Sequence, residues 1–178
     1  MYRANEIANF FIQLANELPG DSIDNLKLNK LLFFTQGQSL SKLGRKMFSD
    51  DIEAWDYGPV VSDVYRSYKV CGRNPIEQSL EYFDESVLDN DELSILVDVY
   101  TNYGKYSSGT LVSMTHQQNT PWTKFYKEGH NVIIPEQAIK EYFDNDTFYK
   151  PFEIDYSKAD VVTAIPLEWD SQEDSAYD

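Results

Sequence analysis

The sequence predicts a mainly α protein, a compact single-domain helical fold with at most a small β element. Three observations support this. Apolar residues recur at helical spacing in several segments; capping residues, proline and glycine bound those segments; and strand-like alternation is scarce. The length of 178 residues suits one domain, and a hydrophobic content of 42% is enough to build a core.

The first two predicted helices have clear apolar patterns. In the first, apolar residues lie at helical spacing, namely Ile7, Phe10, Phe11, Leu14 and Leu18. Pro19-Gly20 ends this helix, and Ser22 or Asp24 begins the next, which extends to Gly44. The second helix has apolar residues on more than one face, namely Leu28, Leu31, Leu32, Phe33 and Phe34. It should therefore be central and enclosed. Gly37 inside it costs about 1 kcal/mol of helix propensity, which predicts that another backbone crosses closely there.

The stretch from Trp55 to Val61 combines large aromatic residues with a turn signal. A strand-like segment, Ile52–Trp55, leads into Tyr57-Gly58-Pro59. Glycine tolerates a positive φ, and proline presets φ for the first helical position. The apolar residues that follow recur at helical spacing, namely Val60, Val61, Val64, Tyr65 and Tyr68. We therefore predict a strand, a turn and then a helix that begins at Pro59.

The second half of the chain contains four further helix starts. They are predicted near Asp91, Ser107, Thr120 and Pro135, from capping residues and proline. The acidic segment Ser79–Asp91 is expected to be irregular, with Tyr82 and Phe83 anchoring it to the core. Short strands are further predicted at Asn131–Ile134 and Val161–Ile165.

Charge is the strongest property of the composition. The chain has 15 basic and 30 acidic residues, a net charge of −15. Such a field repels phosphate backbones, so nucleic acid is not an expected partner, whereas a cationic protein is. No run approaches the ~20 apolar residues that cross a bilayer, and no signal peptide is recognisable, so we expect a cytoplasmic protein with no membrane partner. The single cysteine, Cys71, excludes an internal disulfide.

A change of composition near Lys150-Pro151 predicts two regions. We expect a helical domain at 1–150 and an acidic C-terminal extension at 151–178. The extension contains eight acidic residues and one basic residue, a net charge of −7. Apolar residues are interspersed from Val161 to Trp169, so this part folds either onto the core or onto a partner, and Ser171–Asp178 is expected to be loose.

His116 is the main candidate for catalysis. A general base needs a nucleophile or an orienting carboxylate, and neither lies close to His116 in the sequence. One hypothesis is a hydrolase-like enzyme in which Asp56 assists His116; the other is a structural histidine at a helix end, bonded to the turn before Thr120. The spacing of His116 and His130 matches no compact metal motif, and no glycine-rich phosphate loop is present, so no metal or cofactor is predicted.

Two other groups are candidates for binding. Basic residues cluster on and after the second predicted helix, namely Lys27, Lys30, Lys42, Arg45 and Lys46. They could form a nucleic-acid patch, but the overall charge favours a solvated or salt-bridged helix face. Trp55, Asp56 and Tyr57 could supply interface anchors, although buried aromatic residues of a core have the same sequence pattern.

Several of these segments occur together in one known family. They are Asn5–Ala8, Leu26–Phe34, Trp55–Val61, Asn74–Ile76, Leu111–His116, Thr120–Trp122, Ile134-Pro135 and Ile139–Phe143. In this order they resemble the Panacea domain of SocA-like and GepA-like antitoxins of bacteria and their phages. The resemblance covers roughly residues 1–148.

The resemblance implies a non-enzymatic antitoxin that neutralises a co-encoded, basic protein toxin by binding it. It also implies a set of partner-binding or family-motif positions, which are Lys30, Trp55, Asp56, Tyr57, Gly58, Pro59, His116, Pro121 and Trp122. Some relatives also deliver their toxin to a protease, so a protease or chaperone is a further candidate partner, and exposed aromatics could favour a homodimer. The alternatives are a phage-associated protein that binds a host factor and the hydrolase-like enzyme centred on His116.

Overall fold

Seven α-helices and three short strands are the main elements of residues 1–145, the part of the chain that the computed structural model describes. In chain order they are α1 (Ala4–Glu17), α2 (Asn25–Lys42), β1 (Glu53–Trp55), β2 (Gly58–Val60), α3 (Ser62–Tyr68), α4 (Asn90–Tyr103), α5 (Ser108–Thr115), α6 (Pro121–Phe125), β3 (Val132–Ile133) and α7 (Glu136–Asp144). The mainly α prediction is confirmed. The acidic extension at 151–178 and the strand predicted at Val161–Ile165 lie outside the described residues.

Helix α2 lies at the centre of the fold, as its apolar pattern predicts. It contacts α1, α3, α4, α5, α7 and β2, and its residues are buried almost continuously from Asn25 to Leu40. The Asp24 side chain caps its start by accepting a hydrogen bond from the Lys27 amide at 2.7 Å. Buried polar side chains on α2 bind backbone groups of the neighbouring loops: Gln36 accepts from the Met47 amide and donates to the Phe48 carbonyl, both at 2.9 Å. Helix α2 therefore fixes the loops as well as the core.

Gly37 marks a close contact between α2 and α7, although the predicted neighbour was wrong. A Cβ atom at Gly37 would overlap the ring of Phe143, so glycine makes room for an aromatic side chain rather than for a crossing backbone. Phe143 is 5% exposed and also packs edge-on against Phe33, with 5.6 Å between ring centroids. The absence of a side chain at Gly37 thus lets the Phe143 ring of α7 pack directly against the α2 backbone.

The three strands form a small antiparallel sheet in the order β2-β1-β3. Gly58 has φ +104°, as its place in the turn predicted, and pairs with Trp55. The helix start predicted at Pro59 was wrong, because Pro59 lies in β2 and α3 begins at Ser62. Strand β2 is an edge of the sheet, where proline is tolerated because its missing N–H is not needed for a ladder.

The segment between α3 and α4 is irregular, as expected, but only one of its two predicted anchors is buried. Phe83 is 6% exposed and packs edge-on against Phe10, whereas Tyr82 is 83% exposed. Gln13 binds both backbone groups of Phe83, accepting from its amide at 2.7 Å and donating to its carbonyl at 3.2 Å. This two-point contact fixes the Phe83 backbone with its ring inward, and the adjacent Tyr82 faces solvent.

None of the helices within residues 1–145 is long and apolar enough to cross a membrane.

Candidate functional site

The motif positions predicted from the sequence come together around the β1–β2 hairpin. We call this group the hairpin cluster. It consists of Lys30, Trp55, Asp56, Tyr57, Gly58, Pro59, His116, Pro121 and Trp122, together with Thr115 and Tyr126. Helix α2 supplies Lys30, the hairpin supplies the segment from Trp55 to Pro59, and α5, α6 and their flanking residues supply the others.

The inner part of the cluster is built on a buried lysine. The Lys30 side chain is 0% exposed, and its Nζ donates a hydrogen bond to the Pro59 carbonyl at 3.0 Å. A Cβ atom at Gly58 would lie 2.7 Å from both Lys30 Cε and Thr115 Oγ1. Lys30 and Thr115 therefore occupy the space that a side chain at position 58 would need, and the hairpin lies directly against α2 and α5.

Two members of the predicted basic cluster are more enclosed than the sequence indicated. Lys27 and Lys30 are buried instead of forming a solvated face. Helix α2 is enclosed, so these buried ammonium groups need polar partners within the fold. Lys27 donates to the Ser22 carbonyl at 3.0 Å and also forms an ion pair with Asp21 at 3.7 Å, so it is salt-bridged as expected although it is not solvated. The other three are salt-bridged, as expected, in pairs that join Lys42 to Asp98, Arg45 to Asp89 and Glu92, and Lys46 to Glu136.

The outer part of the cluster is aromatic and centres on Trp122. Its indole Nε1 donates to the Trp55 carbonyl at 2.7 Å, so α6 is tied to the end of β1. The His116 and Tyr126 rings pack against the indole, with centroid distances of 3.6 and 4.5 Å. Pro121, which is buried, begins α6. The combination of proline and the Thr120 cap thus sets the position of Trp122.

His116 caps the C-terminal end of α5 and connects it to the hairpin. Its Nδ1 lies 2.7 Å from the Val112 carbonyl, and its Nε2 lies 3.2 Å from the Asp56 carbonyl. Burial is the main effect that lowers the pKa of His116, and the nearby Lys30 ammonium adds to it, against the opposing effect of the two carbonyls. The predicted structural hydrogen bonds at a helix end therefore exist, but they join α5 to the hairpin rather than to the turn before Thr120.

The geometry around His116 does not assemble the acid–base pair that a hydrolase would need. The Asp56 group that faces the imidazole is its backbone carbonyl, whereas its carboxylate accepts a hydrogen bond from Tyr126 Oη at 2.8 Å. The Thr115 hydroxyl lies 3.3 Å from Nδ1, but it donates to the Val112 carbonyl and the residue is 1% exposed. A substrate could not reach that hydroxyl. Among residues 1–145, no three His, Cys, Asp or Glu residues are grouped so that they could hold a metal ion.

Thr115 and Tyr126 are the two cluster members outside the nine predicted positions, and of these only Tyr126 also lies outside the family segments found in the sequence. Tyr126 follows Trp122 by four residues, one helical turn, and this spacing could have identified it as a neighbour. Burial and the hydrogen bond to Asp56 raise the pKa of Tyr126 to about 12, so its hydroxyl stays protonated and donates. Asp56 is exposed, and Tyr57 and Tyr126 are half-buried, so these three residues form the solvent-facing edge of the cluster.

The comparison with known proteins covers this same region. Residues 28–123 match the family described as "Antitoxin SocA-like, Panacea domain", and this range contains all nine predicted motif positions. The chain belongs to this family. It is also 30% identical over 128 residues to "Antitoxin SocA" of Caulobacter vibrioides (strain NA1000 / CB15N), covering 67% of this chain and 68% of that protein. No solved structure gives a significant match.

The buried part of the hairpin cluster holds neighbouring elements of this Panacea domain together. Lys30, Gly58 and Trp122 lie where α2, the hairpin and α6 meet, and all three are buried. In the structure these side chains are part of the packing between elements. The exposed part of the cluster is its edge, formed by Asp56, Tyr57 and Tyr126.

The lowered pKa of His116 predicts that this Panacea domain loses stability in mild acid. An unfolded histidine titrates near pH 6.5, and the folded one titrates lower, so the unfolded chain binds the extra proton first. The contribution of His116 is therefore fully present above about pH 6.5 and is lost as the pH falls through its folded pKa. We expect the free energy of unfolding in urea to fall between about pH 7.5 and about pH 5.5.

Two matched variants isolate this effect. His116→Gln should reduce the decrease in stability over that range, because the titrating ring is gone. His130→Gln changes an exposed histidine and should leave the decrease in stability with falling pH unaltered. An equal pH dependence in the wild type and His116→Gln would contradict the assignment.

Proposed function

We propose that this protein is a non-catalytic antitoxin that neutralises a co-encoded protein toxin by binding it directly. The observation that carries the proposal is the match of residues 28–123 to the SocA-like Panacea family, a range that contains every member of the hairpin cluster except Tyr126. The 30% identity to "Antitoxin SocA" across 67% of the chain also supports it. Binding would act by covering the surface through which the toxin reaches its target.

The charge of the chain supports a basic toxin as the partner. A net charge of −15 speeds encounter with a cationic protein and discourages contact with nucleic acid. Several basic side chains are already engaged with acidic ones, as in the pairs of Lys42 with Asp98 and Lys46 with Glu136. Because these basic groups are neutralised by their partners, the remaining acidic groups make the electrostatic field around the protein negative.

The proposal also covers the location of the protein, its further partners and its oligomeric state. We place the antitoxin in the cytoplasm, without a cofactor, and include delivery of the toxin to a protease or chaperone as an added role. Homodimer formation is compatible with the same function. The alternative partner, a host factor with no co-encoded toxin, would use the same exposed surfaces.

A co-expression experiment tests the proposal. Each open reading frame adjacent to this one is expressed alone and then together with the full chain, and growth is scored. Toxicity alone, rescue together and co-purification of the two proteins are the expected results. Rescue without a complex would contradict direct binding, and the absence of any toxic neighbour would favour a host factor.

We further propose that residues 1–150 form the folded domain and that the acidic extension at 151–178 contributes to binding the toxin. The extension contributes −7 of the net charge of −15. Truncation after Lys150 should therefore preserve a cooperative thermal melt and slow association with a basic toxin. Loss of the melt would assign Val161–Trp169 to the core of the fold instead.

A further inference from the structure

A second surface, separate from the hairpin cluster, lies where the segment from Ile76 to Asp89 crosses α1. We call it the 76–89 segment. Although it is mostly irregular, its backbone is fixed at several points. Gln13 binds both backbone groups of Phe83, and three further hydrogen bonds join Asn16 to the Glu77 carbonyl (2.8 Å), Tyr2 to the Val87 carbonyl (3.0 Å) and the Ile76 amide to the Ile23 carbonyl (2.8 Å). The segment therefore has a defined shape before any partner binds.

This fixed segment holds large apolar side chains in solvent. Tyr82 is 83% exposed, Leu80 60% and Val87 57%. Phe83 is buried and anchors the segment through edge-on contacts with Tyr2 and Phe10. The fold therefore does not need the three exposed apolar side chains as anchors. A rigidly presented tyrosine next to aliphatic residues has the composition of an interface anchor.

A pocket lies beside Tyr82, between the 76–89 segment and α1. Phe10 and Leu14 line it on the α1 side, Tyr82 lines it on the other, and Glu17 and Glu85 contribute one carboxylate from each element. Within residues 1–145, neither carboxylate has a hydrogen-bond or ion-pair partner. The pocket thus combines apolar and aromatic walls with two uncompensated negative charges.

The surroundings of the pocket are also acidic. Glu77, Glu81 and Asp84 are exposed on the same segment. Hydrogen bonds from Ser86 lower the pKa of Asp84, so this carboxylate is ionised at neutral pH. An approaching cation would meet negative charge before it reached the pocket.

We propose that this pocket receives an arginine or lysine side chain from a basic segment of the toxin. The aliphatic stem would pack against Phe10 and Leu14, the cationic head would pair with Glu17 and Glu85, and the Tyr82 ring would cover it. Leu80 and Val87 would contact apolar residues that flank the basic one. This inference rests on the proposed function, because it names the surface through which the antitoxin binds its toxin.

A pair of charge-neutralising variants tests the site with the full chain. Glu17→Gln/Glu85→Gln removes the two pocket carboxylates and keeps the side-chain size. Glu128→Gln/Glu141→Gln makes the same change of net charge at exposed positions outside the pocket and serves as the control. All four residues are exposed, so both double variants should melt like the wild type. The binding probe is the product of the adjacent open reading frame that is toxic when expressed alone.

The expected result is a loss of affinity confined to the pocket variant. By calorimetric titration, Glu17→Gln/Glu85→Gln should bind the toxin at least about tenfold more weakly than the control variant. Tyr82→Ala should also weaken binding without changing the melt. Equal affinities of the two double variants would overturn the pocket while leaving the antitoxin function intact. A wild-type chain that does not bind the toxin at all would overturn both.

Discussion

Replacing Gly58 by alanine should destabilise the protein by about 4 kcal/mol, a large part of the 5–15 kcal/mol that typically separates folded from unfolded domains. Two effects combine. Gly58 has φ +104°, where a side chain is strained by about 1–3 kcal/mol. The added Cβ would also lie 2.7 Å from Lys30 Cε and Thr115 Oγ1, and overpacking of this kind costs about 1–3 kcal/mol. Urea denaturation of the purified variant measures the sum.

Gly129→Ala separates the two effects. Gly129 has a similarly left-handed φ of +71°, but nothing lies within 4 Å of the Cβ that alanine would add. This variant should lose only the backbone contribution, about 1–2 kcal/mol. If Gly58→Ala were no more destabilising than Gly129→Ala, the close packing of the hairpin against Lys30 and Thr115 would be refuted.

Replacing Lys30 by alanine should have a comparable effect, about 3–5 kcal/mol of lost stability. The side chain is 0% exposed, so its removal leaves a cavity between α2 and the hairpin. The Pro59 carbonyl also loses the hydrogen bond that Nζ donates at 3.0 Å. Such a loss would weaken the attachment of the hairpin to α2 and should be visible as a lower midpoint in a urea melt.

Lys30→Met and Lys124→Met identify which property of the lysine matters. Methionine at position 30 fills the space but cannot donate to the Pro59 carbonyl, so it should recover the packing and retain a loss of about 1–3 kcal/mol. Lys124 is exposed, and the same change there should alter stability by less than about 0.5 kcal/mol. A neutral Lys30→Ala would show that Lys30 is not buried as described.

The helices could be predicted because their apolar residues have a period that only one structure satisfies. The pattern from Ile7 to Leu18 indicates α1 with little ambiguity, and the cap at Asp24 begins α2 as expected. The boundary between the hairpin and the next helix could not be predicted from the sequence pattern. Val60 and Val61 fit the period of the helix that follows, and pairing of β2 with β1, a tertiary contact, decides that the helix begins only at Ser62.

The site shows the same limit at the level of single residues. The sequence does not distinguish the adjacent aromatic residues Tyr82 and Phe83. In the structure, Phe83 is buried through ring contacts with Tyr2 and Phe10 and through the hydrogen bonds of Gln13 to its backbone. A buried lysine and a solvated one are also indistinguishable in the sequence, so the role of Lys30 emerged from the enclosure of α2. The predicted motif residues do lie together around the hairpin, but their role in binding a partner stays a prediction.

Titration of the purified full chain into its purified co-encoded toxin tests the central proposal most directly. We expect a saturable heat change with a defined stoichiometry, an affinity that weakens as salt increases, and loss of toxin activity at the same molar ratio. Full toxin activity in the presence of excess antitoxin chain, with no heat of binding, would contradict neutralisation by direct contact.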